Sequence, residues 1–266
     1  MAADYTKSSA KTDQSRITQS FARGLPSYHG AAIAQARIAA LLAQALADAD
    51  APKYFKHALE FGCGTGLFTQ ALLQRFVIDR MMLNDLVAGP AVTLKDILDR
   101  HETQTTFHAG AIETLPLPQN LDLVASASTV QWVADPAALI ARLTGHLAPG
   151  GWLALSGFGT NHFAELRAVG GDARAPSYLD PDDWRALLPP GLHLHSATKK
   201  VITLRFPDGI SLLKHLRHTG VNAGTHRHWT KANLAQFEAK MMLAQQSRGD
   251  ITLSYAPVLL IAQKAL

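Results

Sequence analysis

The chain has 266 residues, 47% of them apolar and 17% charged, and 25 Lys plus Arg against 21 Asp plus Glu give a formal charge of +4. That apolar fraction excludes a disordered chain. The longest unbroken apolar run, Ile38 to Ala43, is far too short for a membrane span. The mild positive balance falls well short of a nucleic-acid-coating composition. A single cysteine, Cys63, excludes an internal disulfide and a multi-cysteine zinc site. Residues 1–7 carry no apolar h-region or lipidation signal, so the expectation is a cytoplasmic enzyme with neither membrane nor nucleic acid as partner, and a monomer.

Residues 1–20 are polar and without sustained periodicity, which reads as a tail. In 31–48 the apolar residues Ile33, Ile38, Leu41, Leu42 and Leu46 fall near helical spacing with Ala between them, which predicts an amphipathic helix. From residue 57 short apolar runs alternate with helical stretches. Strands are predicted at 57–62, 81–85, 105–109, 121–126 and 151–158, and helices near 67–76, 89–100 and 136–147. Such alternation predicts an α/β fold with a mostly parallel sheet covered on both faces. Residues 159–250 break the pattern with Pro176, Pro181, Pro189, Pro190 and Pro207. They predict helices near 162–168, 181–188, 209–219 and 230–245, a strand pair near 192–206, and an insertion before the last strand. The closing ITLSYAPVLLIAQKA reads as a final strand with Pro257 at a bulge or edge. The expected division is therefore 1–56, 57–158, 159–250 and 251–266.

The sharpest local signal is Glu60-Phe-Gly62-Cys63-Gly64-Thr-Gly66, set between a predicted strand and a predicted helix. Alternate glycines let the backbone turn tightly and approach a ligand where a Cβ would clash. Counting from Gly62, the sixth position is Leu67, so the dinucleotide pattern G-x-G-x-x-G is not met. Asp85 ends the next predicted strand. A carboxylate there accepts hydrogen bonds from both ribose hydroxyls, which supports nucleoside binding without choosing the cofactor.

The loop resembles motif I of the class I S-adenosylmethionine-dependent methyltransferases, where it lies against the methionine part and ribose of the cofactor. Gly110-Ala111-Ile112-Glu113-Thr-Leu-Pro116 resembles that family's G-D-x-E-x-L-P segment beside adenine. Ala111 stands where the family places Asp, which leaves the adenine to backbone groups and to packing by Ile112 and Leu86. Further segments are similar to the malonyl-acyl-carrier-protein O-methyltransferases of biotin synthesis. They are Phe21 to Tyr28 with Gln35, Leu123 to Trp132 with Ser126 and Gln131, Gly157-Phe-Gly159 with Glu165-Leu-Arg167, Leu212 to Ala223 with Arg217, and Leu253-Ser-Tyr255.

The resemblance implies a Rossmann-like sheet with an N-terminal helical lid. It implies cofactor contacts from Gln35, Glu60, Gly62, Cys63, Gly64, Gly66, Asp85, Leu86, Ala111, Ile112 and Ser126. On the acceptor side it implies roles for Tyr28, Trp132, Arg167 and Arg217, with Arg217 pointing inward to a malonyl carboxylate. An acidic acyl-carrier protein is the implied partner, and Lys199, Lys200 and Arg227 are its rim candidates. The alternatives are a methyltransferase for a small-molecule hydroxyl, carbon or quinone precursor, and a cofactor-binding protein without turnover. The chain has no G-x-x-x-x-G-K-[ST], H-E-x-x-H or G-x-S-x-G. Its histidine pairs lack a nearby carboxylate to complete a metal set, so no metal is expected.

Overall fold

The computed structural model describes residues 32–89, 91–171, 175–219, 230–245 and 249–266. The chain divides into two units, one made of residues 33–162, 175–202 and 255–266 and the other of the described parts of 163–174 and 203–254.

The first unit is built on a seven-stranded sheet. Its strands are β1 (Tyr54–Phe61), β2 (Val77–Asp85), β3 (Gln104–Ala109), β4 (Leu121–Ser126), β5 (Leu147–Phe158), β6 (Leu192–Lys199) and β9 (Pro257–Lys264). The spatial order is β3-β2-β1-β4-β5-β9-β6, with β1 to β5 parallel and β9 antiparallel to both its neighbours. From β1 the chain first winds outward through β2 and β3 and then returns to the other side at β4. That reversal opens a crevice at the carboxyl ends of β1 and β4, where ligands bind in such sheets.

Burial on both faces explains the apolar runs. Val258 to Ala262 of β9 are all buried, as are Leu121, Leu123, Val124 and Ala125 of β4. Helix α1 (Ile33–Asp48) buries Ala34, Gln35, Ile38, Ala39, Leu42, Ala43 and Leu46, one face at helical period. That face packs on helix α2 (Leu67–Leu73) and on β5 and β9, so α1 is a covering layer of the sheet. Helix α3 (Ala91–Leu98) joins β2 to β3. Helix α4 (Pro136–His146) starts on Pro136, and the Asp135 side chain accepts from Ala138 N at 2.9 Å, a capped start of the expected kind.

The second unit holds helix α5 (Ala164–Ala168), helix α7 (Gly209–His218) and helix α8 (Lys231–Ala244). It also holds the two-stranded sheet of β7 (Ile202–Phe206) and β8 (Ile251–Tyr255). The Gln245 side-chain amide at the end of α8 clamps Thr252 of β8, donating to its carbonyl at 3.0 Å and accepting from its N–H at 2.8 Å. Helix α6 (Pro181–Ala186) belongs to the first unit.

Two expectations need correction. The strands near 192–206 do not pair with each other: β6 joins β9 in the large sheet, while β7 pairs with β8. The closing segment forms two strands, and Pro257 lies at no edge, since β9 sits between β5 and β6. Proline is tolerated as the first residue of that strand because it needs no ladder donor there. Its carbonyl still accepts from Lys200 N at 2.8 Å.

Candidate functional site: a glycine loop at the carboxyl end of β1

Gly62, Gly64 and Gly66 have φ of +63°, +51° and +86°, and Gly66 caps α2. At Gly62 a Cβ would lie 2.1 Å from Thr129 Oγ1, so the loop is pressed against the turn after β4. At Gly64 a Cβ would meet nothing within 4 Å: this is the open side of the loop, where a ligand can approach the backbone.

The loop is held from β2. Cys63 N donates to Asn84 O at 3.0 Å, and Gly64 N donates to Asp85 Oδ2 at 2.9 Å. The other carboxylate oxygen of Asp85 accepts from Val87 N at 3.1 Å. Burial raises the Asp85 pKa, and backbone N–H groups of Val87, Gly64 and Leu86 oppose the rise. The carboxylate offers four lone-pair sites and three N–H groups face it, so the loop contact leaves capacity for a further donor.

Glu60 lies beneath the loop, 1% exposed, where its Oε2 accepts from Thr69 Oγ1 at 2.8 Å. Burial pushes its pKa up to about 8, and Asp85 adds to the rise. Burial, reinforced by Glu60 and Asp85, likewise pushes the Cys63 thiol above its ordinary value, so this buried cysteine is no nucleophile.

A folded-state pKa raised from 4.5 means that the native state holds a proton more tightly than the unfolded chain. The Glu60 contribution to stability is therefore full below about pH 4.5 and is lost as pH climbs to about 8. Glu60→Gln keeps an acceptor for Thr69 and removes the titration. The ligand-free variant is expected to be more stable than the parent by about 2–4 kcal/mol at pH 8 and near parity at pH 4.5, read by urea unfolding at both pH values.

The segment after β3 is fixed by two residues that the sequence reading passed over. Asn84, buried, donates from Nδ2 to His108 O and Gly110 O, each at 2.9 Å. Arg142 of α4 donates to Ile112 O at 2.7 Å and also to Leu115 O. Ala111 is half-exposed, Ile112 is buried and Leu86 is half-buried. Asn84 is the one uncharged polar side chain in the strand MMLND, which was a usable signal. Arg142 gave no such signal, because its partners are backbone carbonyls far along the chain.

After β4, Ser126 is fully buried and its Oγ donates to Phe61 O at 2.7 Å, tying β4 to the end of β1. The hydroxyl thus acts on the loop's base, where the sequence reading gave it to the cofactor. Ser128 has φ +57°, and Gln131 donates from Nε2 to Ser128 O at 2.6 Å, closing the turn that carries Thr129 and half-buried Trp132. Gln35 of α1 is 9% exposed, and its Oε1 has no hydrogen-bond partner among the described residues.

Of the acceptor-side residues, Tyr28 and Arg227 lie outside the described residues. Arg167 is half-buried in the last turn of α5. Arg217 does not point inward as expected: α7 buries Gly209, Leu212, His215 and Leu216, and helical period puts Arg217 on the opposite, exposed face. Lys199 is held by Asp180 at 2.8 Å, and that contact is the main reason the Asp180 carboxyl sits below its ordinary pKa. Lys199 is therefore not a free rim charge, whereas Lys200 is exposed. Among the described residues no three His, Cys, Asp or Glu side chains converge on a metal position, and no helix is long and apolar enough to cross a membrane.

The strand order with its single reversed strand, and the glycine loop at the end of β1, define the class I methyltransferase fold. Residues 59–155 match the family model described as "Methyltransferase domain". A putative methyltransferase from Bacillus halodurans superposes with a TM-score of 0.61 at 16% identity, covering 85% of this chain and 99% of that one. The N-methyltransferase NodS from Bradyrhizobium japonicum, solved with S-adenosyl-l-homocysteine, gives 0.53 at 16% identity and covers 94% and 98%. These likenesses concern the fold.

Closer relatives carry one name. A malonyl-[acyl-carrier protein] O-methyltransferase from Acinetobacter baylyi is 35% identical over 259 residues, covering 95% of this chain and 97% of that protein. Its counterpart from Chlorobium luteolum is 32% identical over 249 residues, covering 93% and 94%. The chain belongs to the malonyl-[acyl-carrier protein] O-methyltransferase family.

Proposed function

We propose that this chain transfers the methyl group of S-adenosyl-L-methionine to the free carboxylate of a malonyl group on acyl-carrier protein. The products are the methyl ester and S-adenosyl-L-homocysteine, and the reaction is an early step of biotin synthesis in the cytoplasm, performed by a monomer. The observation that carries the reading is the kinship with proteins named for this reaction across 95% of the chain.

The chemistry of the loop supports it. A carboxylate with an ordinary pKa of about 3–4 is already ionised at neutral pH, so its methylation requires alignment and exclusion of water and no general base. Among the described residues, the titratable groups of the loop fit that requirement. Cys63 and Glu60 are buried with raised pKa values, and Asp85 is occupied by backbone N–H groups. The residues also fit the cofactor. Gly64 leaves open space beside the backbone, Asp85 retains acceptor capacity for a ribose hydroxyl, and Gln35 Oε1, without a partner among the described residues, calls for a donor.

When bound, the cofactor supplies an electrophilic sulfonium methyl. The backbone of residues 62–66 and Asp85 would hold its ribose and methionine part, and Leu86, Ala111 and Ile112 would border its adenine. Burying a malonyl carboxylate without a cation costs several kcal/mol. We assign Arg167 to it and Tyr28 to a hydrogen bond with the carboxylate or the thioester carbonyl, and the family resemblance adds Trp132 to the acceptor side.

The test is mass spectrometry of malonyl-carrier protein after incubation with S-adenosylmethionine. A gain of one methylene equivalent is expected, and no gain on the carrier with turnover of small-molecule acceptors would overturn the reading. Asp85→Ala removes acceptors from Gly64 and Val87 and from the ribose. Calorimetry is expected to show cofactor affinity weakened by about 1–3 kcal/mol, and an unchanged Kd would remove Asp85 from the site. Tyr28→Phe is expected to lower kcat at least about tenfold with cofactor Kd unchanged; equal turnover would reduce Tyr28 to packing.

A further inference from the structure

Helix α7 shows which of its residues face outward. Its buried positions are Gly209, Leu212, His215 and Leu216, and Ile210, Lys214 and Arg217, spaced i, i+4 and i+7, form one exposed stripe. Ile210 is 45% exposed, an apolar β-branched side chain left in water on a capped and therefore rigid element. The cap is Asp208, whose carboxylate accepts from Ser211 N at 2.6 Å. Neither Lys214 nor Arg217 is held in a salt bridge among the described residues, in contrast to Lys199, which Asp180 neutralises. Asp208, at the other end of the helix from Arg217, is the acid that feels Lys214, and the N–H of Ser211 is its main stabiliser.

Cations in the last turn complement the helix dipole, and that alone would account for Arg217. It does not account for Ile210 in the first turn or for the alignment of all three on one face. A stripe that pairs one exposed apolar anchor with cations held in no salt bridge among the described residues is complementary to an acidic protein surface with an apolar centre. Nucleic acid, by contrast, offers charge but little for Ile210 to bury against.

We propose that the Ile210–Lys214–Arg217 stripe of α7 is the docking surface for the acyl-carrier protein, which is acidic. The proposal rests on the function proposed above, and it moves Arg217 from the carboxylate to the carrier. Carrier docking is thus set by a helix face, and recognition of the acyl group by other residues.

The experiment compares malonyl-carrier protein with a short malonyl thioester as substrates of the full-length chain, at low and at high salt. For the parent, methylation of both substrates is the premise, and if neither is methylated the functional reading fails before the stripe is tested. Lys214→Glu and, separately, Ile210→Ser alter exposed side chains, and unchanged thermal unfolding confirms that both variants fold. Lys214→Glu is expected to raise KM for the carrier substrate about 3- to 10-fold at low salt, less at high salt, and to leave the short thioester unaffected. Ile210→Ser is expected to raise the same KM at both salt concentrations. The proposal is overturned if the carrier KM is unchanged in both variants, or if both substrates change alike. It is also overturned if Lys214→Glu leaves KM intact while weakening retention on single-stranded RNA, which would assign the stripe to nucleic acid.

Discussion

Gly62→Ala is expected to abolish measurable cofactor binding and to cost at least about 3 kcal/mol of folding stability, through two independent effects. The backbone at Gly62 has φ +63°, a region that costs an L-residue about 1–2 kcal/mol. The added Cβ would also lie 2.1 Å from Thr129 Oγ1, 2.4 Å from its Cγ2 and 2.7 Å from its Cβ. Rotating Thr129 about χ1 moves the first two atoms and leaves the third in place, so no rotamer clears the clash and the turn after β4 must shift. Thr129→Gly removes the obstruction together with the Thr129 hydroxyl contacts to Gly62 O and Ala127 O, so measured against Thr129→Gly alone the added Gly62→Ala change keeps only the dihedral cost of about 1–2 kcal/mol. Gly62→Ala should therefore cost clearly less in the Thr129→Gly background than in the parent, measured by urea unfolding, with calorimetry following the cofactor. A Gly62→Ala protein within about 1 kcal/mol of the parent, or a Gly62→Ala cost undiminished in the Thr129→Gly background, would show that the loop and the turn are not packed in this way.

The second large effect is expected at Trp184. This residue is 1% exposed on α6, and its Cζ2 lies 2.8 Å from where a Cβ on Gly157 would stand, so the indole fills the space that the glycine leaves. Trp184→Ala is expected to lose about 3–5 kcal/mol, the range for emptying a large aromatic site. Trp184→Phe should behave very differently. The indole Nε1 has no hydrogen-bond partner among the described residues, so the parent already carries a buried unpaired donor, a penalty of about 1–3 kcal/mol that phenylalanine removes. That gain offsets the smaller ring, and the Phe variant should lie within about 1 kcal/mol of the parent. A Phe variant as unstable as the Ala variant would mean that the N–H is satisfied.

Much of the sheet was legible because its signals are local. Apolar runs of strand length separated by helical periods mark β1 to β5, and 121–126 agrees residue for residue with Leu121–Ser126. Partnership is not local. Only Lys200 and Val201 separate β6 from β7, a spacing that reads as a hairpin, yet β6 finds its partner more than fifty residues later in β9. The glycine loop was legible for the same reason as the strands, since alternate glycines record backbone angles directly. Asn84 and Arg142 were not, because each works through carbonyl groups that no spacing rule connects to it. Arg217 is a different case. Leu212 and Leu216, one turn apart, already told which face of that helix is buried, and helical period places residue 217 off it.

The grip of Asp85 on the Gly64 N–H bears on how fast and how cheaply a ligand is taken up. A glycine-rich loop left to itself samples many conformations, and a ligand that had to select one would lose affinity in proportion to their number. Here the ordering has already happened during folding, through the carboxylate of the neighbouring strand and the Cys63 N–H to Asn84. Uptake therefore resembles insertion into a rigid slot: the association rate should be independent of loop rearrangement, and cofactor binding should change hydrogen-exchange protection little at Cys63 and Gly64.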